Sequence, residues 1–410
     1  MRLADLNEAT VSLADVRTVV LTEAERKKYN LVPDDILFIR VNGSRDRVGS
    51  CFVVPEMSEC CAYCDHLVRG KSVTSILPRY LLAVMSNSIV RTAIDNGIVC
   101  AAGQNTISQG VLKPIIIPVP PLAEQRRIVD VLDKHLALVD GIERDRANLD
   151  ALFAQLKSKV LDLAVRGELV EHDPEDEPAG ELLARICEEK LAMVERGELK
   201  QKDIKNDTVI FTGSDGLRYE KPADGKGKAK CIEDEIPFET PEGWSWCRLL
   251  TPVALNPKNA VDDETLASFL PMAAIEEGFR NKYHSEVRRW KEIKNSFTQF
   301  ADGDVVFAKI SPCFENGKYF IASDLKNGVG AGTTELYVLR PSSEELDNRY
   351  LFYFLVSNYF MRDAKKTLMG SVGQQRIKKE YLEKMLLPIP PLAEQRRIVK
   401  RIEEVFNLVG

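Results

Sequence analysis

Apolar residues recur along this chain in two distinct rhythms. Short β-branched and aromatic runs, among them ILFIRV, SCFVV, DVVFAKI and TELYVL, are separated by Gly, Asn, Asp and Pro. Such runs predict strands and turns. Each of two regions also holds one helical stretch, RYLLAVMSNSIVRTAI in the first and RYLFYFLVSNYFMRDA in the second. Both regions therefore read as mixed α/β domains, mostly antiparallel. From Ile128 the rhythm changes. Steps of four and three pass through Leu132, His135, Val139, Ile142, Arg146, Leu149, Phe153, Leu156, Val160 and Leu163, and nine of these eleven positions are apolar. That is a heptad seam. Prolines 120 and 121 suit a helix start and Gly167 a helix stop, so the spacing predicts one helix over residues 122–166. At about 1.5 Å per residue it would be roughly 67 Å long. A seam that narrow on so long a rod calls for a partner helix.

The sequence supplies a candidate. The decapeptide PPLAEQRRIV occupies residues 120–129 and, letter for letter, residues 390–399. Upstream, Gly103 and Gln104 align with Gly373 and Gln374, Ile107 with Ile377, and Arg79-Tyr80-Leu81 with Arg349-Tyr350-Leu351. DDILFIR (34–40) matches GDVVFAK (303–309) with a shift of one residue. Each copy thus comprises a variable domain, a proline-flanked connector and a helix. Ile398, Ile402, Val405 and Val409 repeat the seam of the first copy, which predicts an antiparallel helix pair holding two similar domains apart. Only 34 residues precede the DILF strand, whereas about 60 separate PEGWSW (241–246) from DVVF, and the second helix stops at Gly410. Both ends are expected to be incomplete, leaving the final helix partly paired. Between the copies, residues 179–195 have helical spacing, followed by a polar stretch and KPADGKGKAK, read as a flexible linker.

Charge and composition narrow the chemistry. The net charge of −6 is uneven: residues 1–118 carry +1, 119–243 carry −10, and 244–388 carry +2. The two domains are therefore free to hold basic patches, which matter for phosphates more than overall charge does. No apolar run could span a bilayer and no signal peptide opens the chain; nine irregularly spaced cysteines fit reduced thiols. Catalytic signatures are missing. CCAYCDH (60–66) has a CxxC and a His but no second CxxC at zinc spacing, so ordinary thiols are expected. GVGAG (328–332) is too loose for a nucleotide fingerprint, and no phosphate-binding GxxxxGK[ST] loop or NPPY-like tetrapeptide occurs. His135, in the seam, is expected to serve packing.

Arg or Lys reads guanine, and Asn or Gln reads adenine. Gln104, Asn105 and Thr106 occupy the same place as Gln374, Gln375 and Arg376. The shared glutamines suit bracing of the connector, and the differing pairs suit base readout. Arg45 and Arg47 lie on an apparent hairpin turn, NGSRDR, a place suited to groove contact or to simple solvation. Lys309 ends its strand as Arg40 does. RRWKEIK (288–294) offers a basic surface around Trp290, which is more simply a core residue. Lys365, Lys366, Lys378 and Lys379 are further phosphate candidates.

The duplicated PPLAEQRRIV after a Gly-Gln connector, the heptad helix, the acidic DPEDEPA spacer and EDEIPFETPEGW together resemble the specificity subunit of type I restriction–modification enzymes. The likeness runs along essentially the whole chain. It implies an α+β fold: two mixed α/β target-recognition domains (1–118, lacking its start, and 241–388) joined and separated by long antiparallel coiled-coil helices. The helical parts would be 119–170 and 389–410, with a helical and linker segment at 171–240. The resemblance further implies double-stranded DNA as ligand, read as a split asymmetric sequence, and two modification (methyltransferase) subunits docked on the helices. Restriction (translocase and nuclease) subunits would complete the assembly, in a prokaryotic cytoplasm. It implies no catalysis by this chain and no cofactor or metal. The docking face would use Glu124, Arg126, Arg127, Ile128, Leu132, Val139, Ile142, Leu149, Phe153 and Leu156, with Glu394, Arg396, Arg397, Ile398 and Ile402. Two rival readings are a coiled-coil scaffold without DNA affinity and the recognition part of a fused methyltransferase or nuclease.

Overall fold

The computed structural model describes residues 1–7, 10–11, 17–57, 60–71, 73–101, 103–197, 200–201, 204–370 and 374–409. The chain divides into two compact units, residues 1–148 and 149–410. A single uninterrupted helix, Leu122–Arg166, runs from the first into the second. Its limits are those the heptads, the prolines and the glycine predict. Gly167 ends it in the left-handed region, at φ 75°. There its N–H donates to the Ala164 carbonyl at 3.3 Å and the Glu168 N–H to that of Leu163 at 2.8 Å, satisfying carbonyls that the last turn leaves open.

In the first unit the strand Ile36–Ile39 lies between Cys51–Val53 and Leu67–Gly70, antiparallel to both. A second small sheet orders Val41–Asn42, Gln104–Thr106 and Val99–Ala101. The helices Pro78–Met85 and Ser88–Asn96 bury Tyr80, Met85, Val90 and Ile94. In the second unit Val305–Ala308 is central to a four-stranded sheet with Tyr319–Ile321, Leu336–Pro341 and Val253–Leu255. A second four-stranded sheet contains one parallel pair, Leu266–Leu270 with Val329–Gly332. Here GVGAG has its physical reason. A Cβ on Gly330 would lie 2.5 Å from the Phe300 ring, and one on Gly332 2.7 Å from the Leu270 carbonyl oxygen. The glycines admit close neighbours in a sheet.

Two expectations change. Residues 171–240 are more than helix and linker. After the helix Ala179–Glu195, the strands Thr208–Thr212, Arg218–Pro222 and Lys230–Cys231 form a three-stranded antiparallel sheet. Within the second unit Arg248 ties this sheet to the strand Ser245–Arg248 by donating to Glu220 at 2.7 Å, and it donates to Glu235 just past the sheet, also at 2.7 Å. The GSDG turn and the apolar run Thr208–Thr212 carried the signal, which the charged residues of Arg218–Pro222 diluted. The seam also behaves differently along its length. Val160, Leu161, Ala164 and Val165 are buried, a stripe of ordinary helical period packed in the second unit's core. Upstream, Leu132, Val139, Ile142, Leu149, Phe153 and Leu156 are exposed.

The final helix, Leu392–Leu408, runs antiparallel to the end of the long one. Its start meets residues just past the long helix, with Arg397 bonded to Asp176 at 2.5 Å. Near its end, the Lys157 ammonium sits 5.5 Å from the Phe406 ring centroid. The pairing is partial, as expected from the short second helix. Leu149 and Phe153 lie upstream of these contacts.

Candidate nucleic-acid interface

The duplication holds at the level of single hydrogen bonds. The Ile107 N–H donates to the Arg40 carbonyl at 2.9 Å, and the Ile377 N–H to the Lys309 carbonyl at 2.9 Å. Tyr80 donates its hydroxyl to the Pro118 carbonyl at 3.0 Å, and Tyr350 to that of Pro388 at 2.7 Å. Arg79 pairs with Asp133 at 3.0 Å and Arg349 with Glu403 at 3.4 Å.

Gln125 and Gln395, both fully buried, form the joint between head and helix. Gln125 accepts from the Leu77 N–H at 2.8 Å and donates to the carbonyls of Ser75 and Pro120. Gln395 accepts from the Asp347 N–H at 2.8 Å and donates to those of Glu345 and Pro390. Leu77 and Asp347 are the N-cap residues of matching helices. One amide therefore ties two helix starts together in each copy, which explains its identity in both.

Pairing of Val41–Asn42 with Gln104–Thr106 brings two candidate motifs side by side across about 60 residues of sequence. Their exposure runs opposite to what bracing by Gln104 and readout by Asn105 would need. Asn105 is 8% exposed, and its side-chain amide donates to the Gly43 carbonyl at 2.9 Å, so it braces the sheet. Gln104 is exposed beside Gly103, whose φ is 77° and around which a Cβ would meet nothing. It is Gln104 that is free to reach outward. Thr106 is half-buried. Arg45 and Arg47 lie on a short 3-10 turn, Arg45–Arg47. Each is exposed, yet each donates to a carbonyl, Arg45 to Asp95 at 2.7 Å and Arg47 to Leu6 at 2.6 Å.

In the second unit Lys309, Gln375 and Arg376 share a corner. The Ser311 N–H donates to the Gln375 carbonyl at 2.8 Å, and the Lys309 ammonium lies 5.3 Å from the Tyr337 ring centroid. Arg376 grips Glu335 through two bonds of 2.8 Å, which lowers the Glu335 pKa. Gln374 and Lys378 are exposed; Gly373 lies outside the described residues. Of the other cations, Lys366 pairs with Asp363 and Lys379 with Glu383, while Lys365 is exposed. The RRWKEIK surface is self-neutralised. Trp290 is 1% exposed, Arg289 and Lys291 bind Glu264, and Lys294 binds Asp263.

Pattern reading missed a cleft of about 1390 Å³ in the first unit. Arg2, Arg17, Lys28, Arg40 and Arg69 line it, against the acids Glu25 and Asp65. Tyr29 and Tyr63 stack edge to face in its wall at 5.9 Å. Cations interleaved with aromatic faces suit a nucleic-acid backbone and its bases. They are scattered through almost 70 residues of sequence, so no local run announced them. Among the described residues, one group could hold a metal: Cys64, Asp65 and His66 place ligand atoms within 4.8 Å of one another. There the His66 Nδ1 already shares a hydrogen bond with Asp65 at 3.0 Å.

The docking residues divide by copy. Glu124, Arg126 and Arg127 are exposed and Ile128 half-buried, whereas Glu394 and Ile398 are buried. Glu394 accepts from the Trp244 indole at 3.1 Å and bonds to His172 at 2.8 Å. Burial nevertheless raises its pKa, the two hydrogen bonds acting against that. Arg126 and Arg396 are exposed in both copies, and Ile402 is fully buried.

The family described as type I restriction modification DNA specificity domain matches residues 5–149 and again 257–409, one match in each unit apart from residue 149. Over 255 residues, 62% of this chain, identity is 41% to the type I restriction enzyme EcoAI specificity subunit of Escherichia coli. It is 42% to the EcoEI specificity subunit of the same organism. Each match spans 39% of the relative's length. A putative type I restriction enzyme MjaX specificity subunit of Methanocaldococcus jannaschii is 22% identical across 100% of this chain and 80% of its own. A solved structure from work on complex assembly and conformational transition of the type I R-M system covers 93% of this chain and 76% of its own, at TM-score 0.55 and 17% identity, a likeness of fold. With both units matched, the chain belongs to the type I restriction–modification DNA specificity family.

Proposed function

We propose that this chain is the DNA sequence-recognition subunit of a type I restriction–modification complex, reading a split, asymmetric target with one head per half. The observation that carries this reading is the pairing of invariant joints with divergent surfaces. The same glutamine, tyrosine and arginine contacts fix both heads to their helices. Beyond those joints Gln104 and Gln374 correspond, but Asn105 and Thr106 of one head stand where the other has Gln375 and Arg376, and Ser108 stands where it has Lys378.

Gln hydrogen-bonds adenine and Arg guanine in the major groove, while cations on phosphates set register without carrying sequence. In this scheme Gln104 and Arg376 read bases. The cleft cations of the first head, with Lys309 and Lys378 in the second, hold phosphates. Arg376 would exchange Glu335 for guanine or phosphate, at the expense of a two-bond ion pair. Two methyltransferase subunits would dock on the duplicated helices, where Arg126 and Arg396 stand exposed at the same place. Restriction subunits would join that assembly, and this chain would contribute no catalytic group.

Gel retardation of duplex DNA by this chain with its modification subunit, at rising salt, tests the reading. Sequence-selective retention whose logarithmic affinity falls linearly with log salt is expected. Assembly with the modification subunit but no selective retention would overturn it.

A further inference from the structure

The two copies of PPLAEQRRIV share a sequence but not an environment. In the second copy the connector Leu386–Ile389 is a strand, paired antiparallel with Ser245–Arg248. Just before that partner strand, Trp244 packs in the core and donates to Glu394. Leu386 is 4% exposed, Ile389 0% and Glu394 1%. In the first copy the aligned connector, IIPV at 116–119, has no strand partner among the described residues. Ile116 is 92% exposed, Val119 52% and Leu122 38%, and Glu124 is open to solvent.

We infer that the first connector is an acceptor site for a polypeptide strand led by a Gly-Trp turn, of the kind residues 241–248 provide to the second. The chemistry of that occupant is read from the covered copy. A backbone strand would pair with residues 116–119 and relieve an unpaired edge. Its side chains would lie over residues 116–119 as those of Ser245–Arg248 lie against Leu386–Ile389. An indole N–H would donate to Glu124, as Trp244 does to Glu394. The inference is independent of DNA binding, since it rests only on the joint between head and helix.

The probe is a fluorescein-labelled peptide with the sequence of residues 239–250, ETPEGWSWCRLL, titrated into the full chain and read by anisotropy. Saturable binding is expected, with backbone amides among Ile116, Ile117 and Val119 gaining protection from hydrogen exchange. Replacing the first tryptophan of the peptide with Ala should weaken binding by about tenfold or more, as should Ile116→Asp or Glu124→Lys in the protein. Binding that ignores all three changes would overturn the inference, as would no binding with the protein folded by circular dichroism. Sedimentation showing that the chain dimerises through this face, with Ile116→Asp giving monomers, would overturn it in favour of pairing between copies.

Discussion

Ten identical residues are placed in both units of this molecule, and the second unit buries them more deeply than the first. In the second copy, Pro390, Pro391, Glu394, Gln395, Ile398 and Val399 are all buried. In the first copy only Gln125 is. The difference separates two reasons for a residue to be repeated. Gln125 and Gln395 make equivalent bonds in both places, so their identity follows from an internal joint common to both units. Glu124 and Glu394 do not, so their identity cannot follow from any contact present in both. Arg126 and Arg396, exposed in both, are the positions where a common external partner would impose sequence.

The largest effect should come from depth of burial. Ile398→Ala should cost about 2–4 kcal/mol in denaturant unfolding of the second unit, because the cavity opens in a packed core. Ile128→Ala, at a half-buried site, should cost clearly less. Equal losses would mean that the first copy is as well covered as the second.

The joint comes next. Gln125→Ala and Gln395→Ala should each destabilise their own unit by about 2–3 kcal/mol, since each strands a buried N–H and carbonyl groups. Hydrogen exchange resolved by segment would show which unit opens. If either variant were silent, the two joints would not be equivalent. Trp244→Phe should cost about 1 kcal/mol by removing one donor from the buried Glu394.

The first head offers a finer contrast. Asn105→Ala should lower stability by about 1 kcal/mol, since the Gly43 carbonyl loses its donor, whereas Gln104→Ala should leave the melting curve unchanged and alter DNA selectivity. The opposite outcome would restore the assignment suggested by sequence.

Acid titration should give the smallest effect. The Arg248 guanidinium hydrogen-bonds Glu220 and holds its carboxyl below the usual range. A lowered folded pKa gives stability that is present above the unfolded value of about 4.3 and lost as pH falls through the folded one. Wild type should therefore exceed Glu220→Gln in stability at neutral pH, and the gap should close below about pH 4. A gap that stayed constant to acid would show that the ion pair contributes nothing.

The parts of this fold legible from sequence were those governed by repetition and by helical period. The long helix, its glycine stop, the 179–195 helix and the duplicated heads follow from patterns tens of residues long. The parts that were not legible depend on which way one residue faces. Within the three-residue strand Gln104–Thr106, alternation alone fixes Asn105 inward and Gln104 outward, and nothing in the letters sets the phase. The acidic 119–243 stretch concealed a small sheet because the uncharged strand Thr208–Thr212 is followed by Arg218–Pro222, with three charged residues in five, and by the two-residue Lys230–Cys231. The cleft cations come together only through the fold. The seam announced a need for a partner without saying how much of it this chain supplies.

The most direct measurement is a map of N6-methyladenine across a host genome expressing this chain with its modification subunit, compared with the Gln104→Ala and Arg376→Ala variants. A split methylated sequence is expected, in which Gln104→Ala relaxes bases in one half and Arg376→Ala those in the other. Both substitutions altering the same half, or neither altering any base, would contradict it.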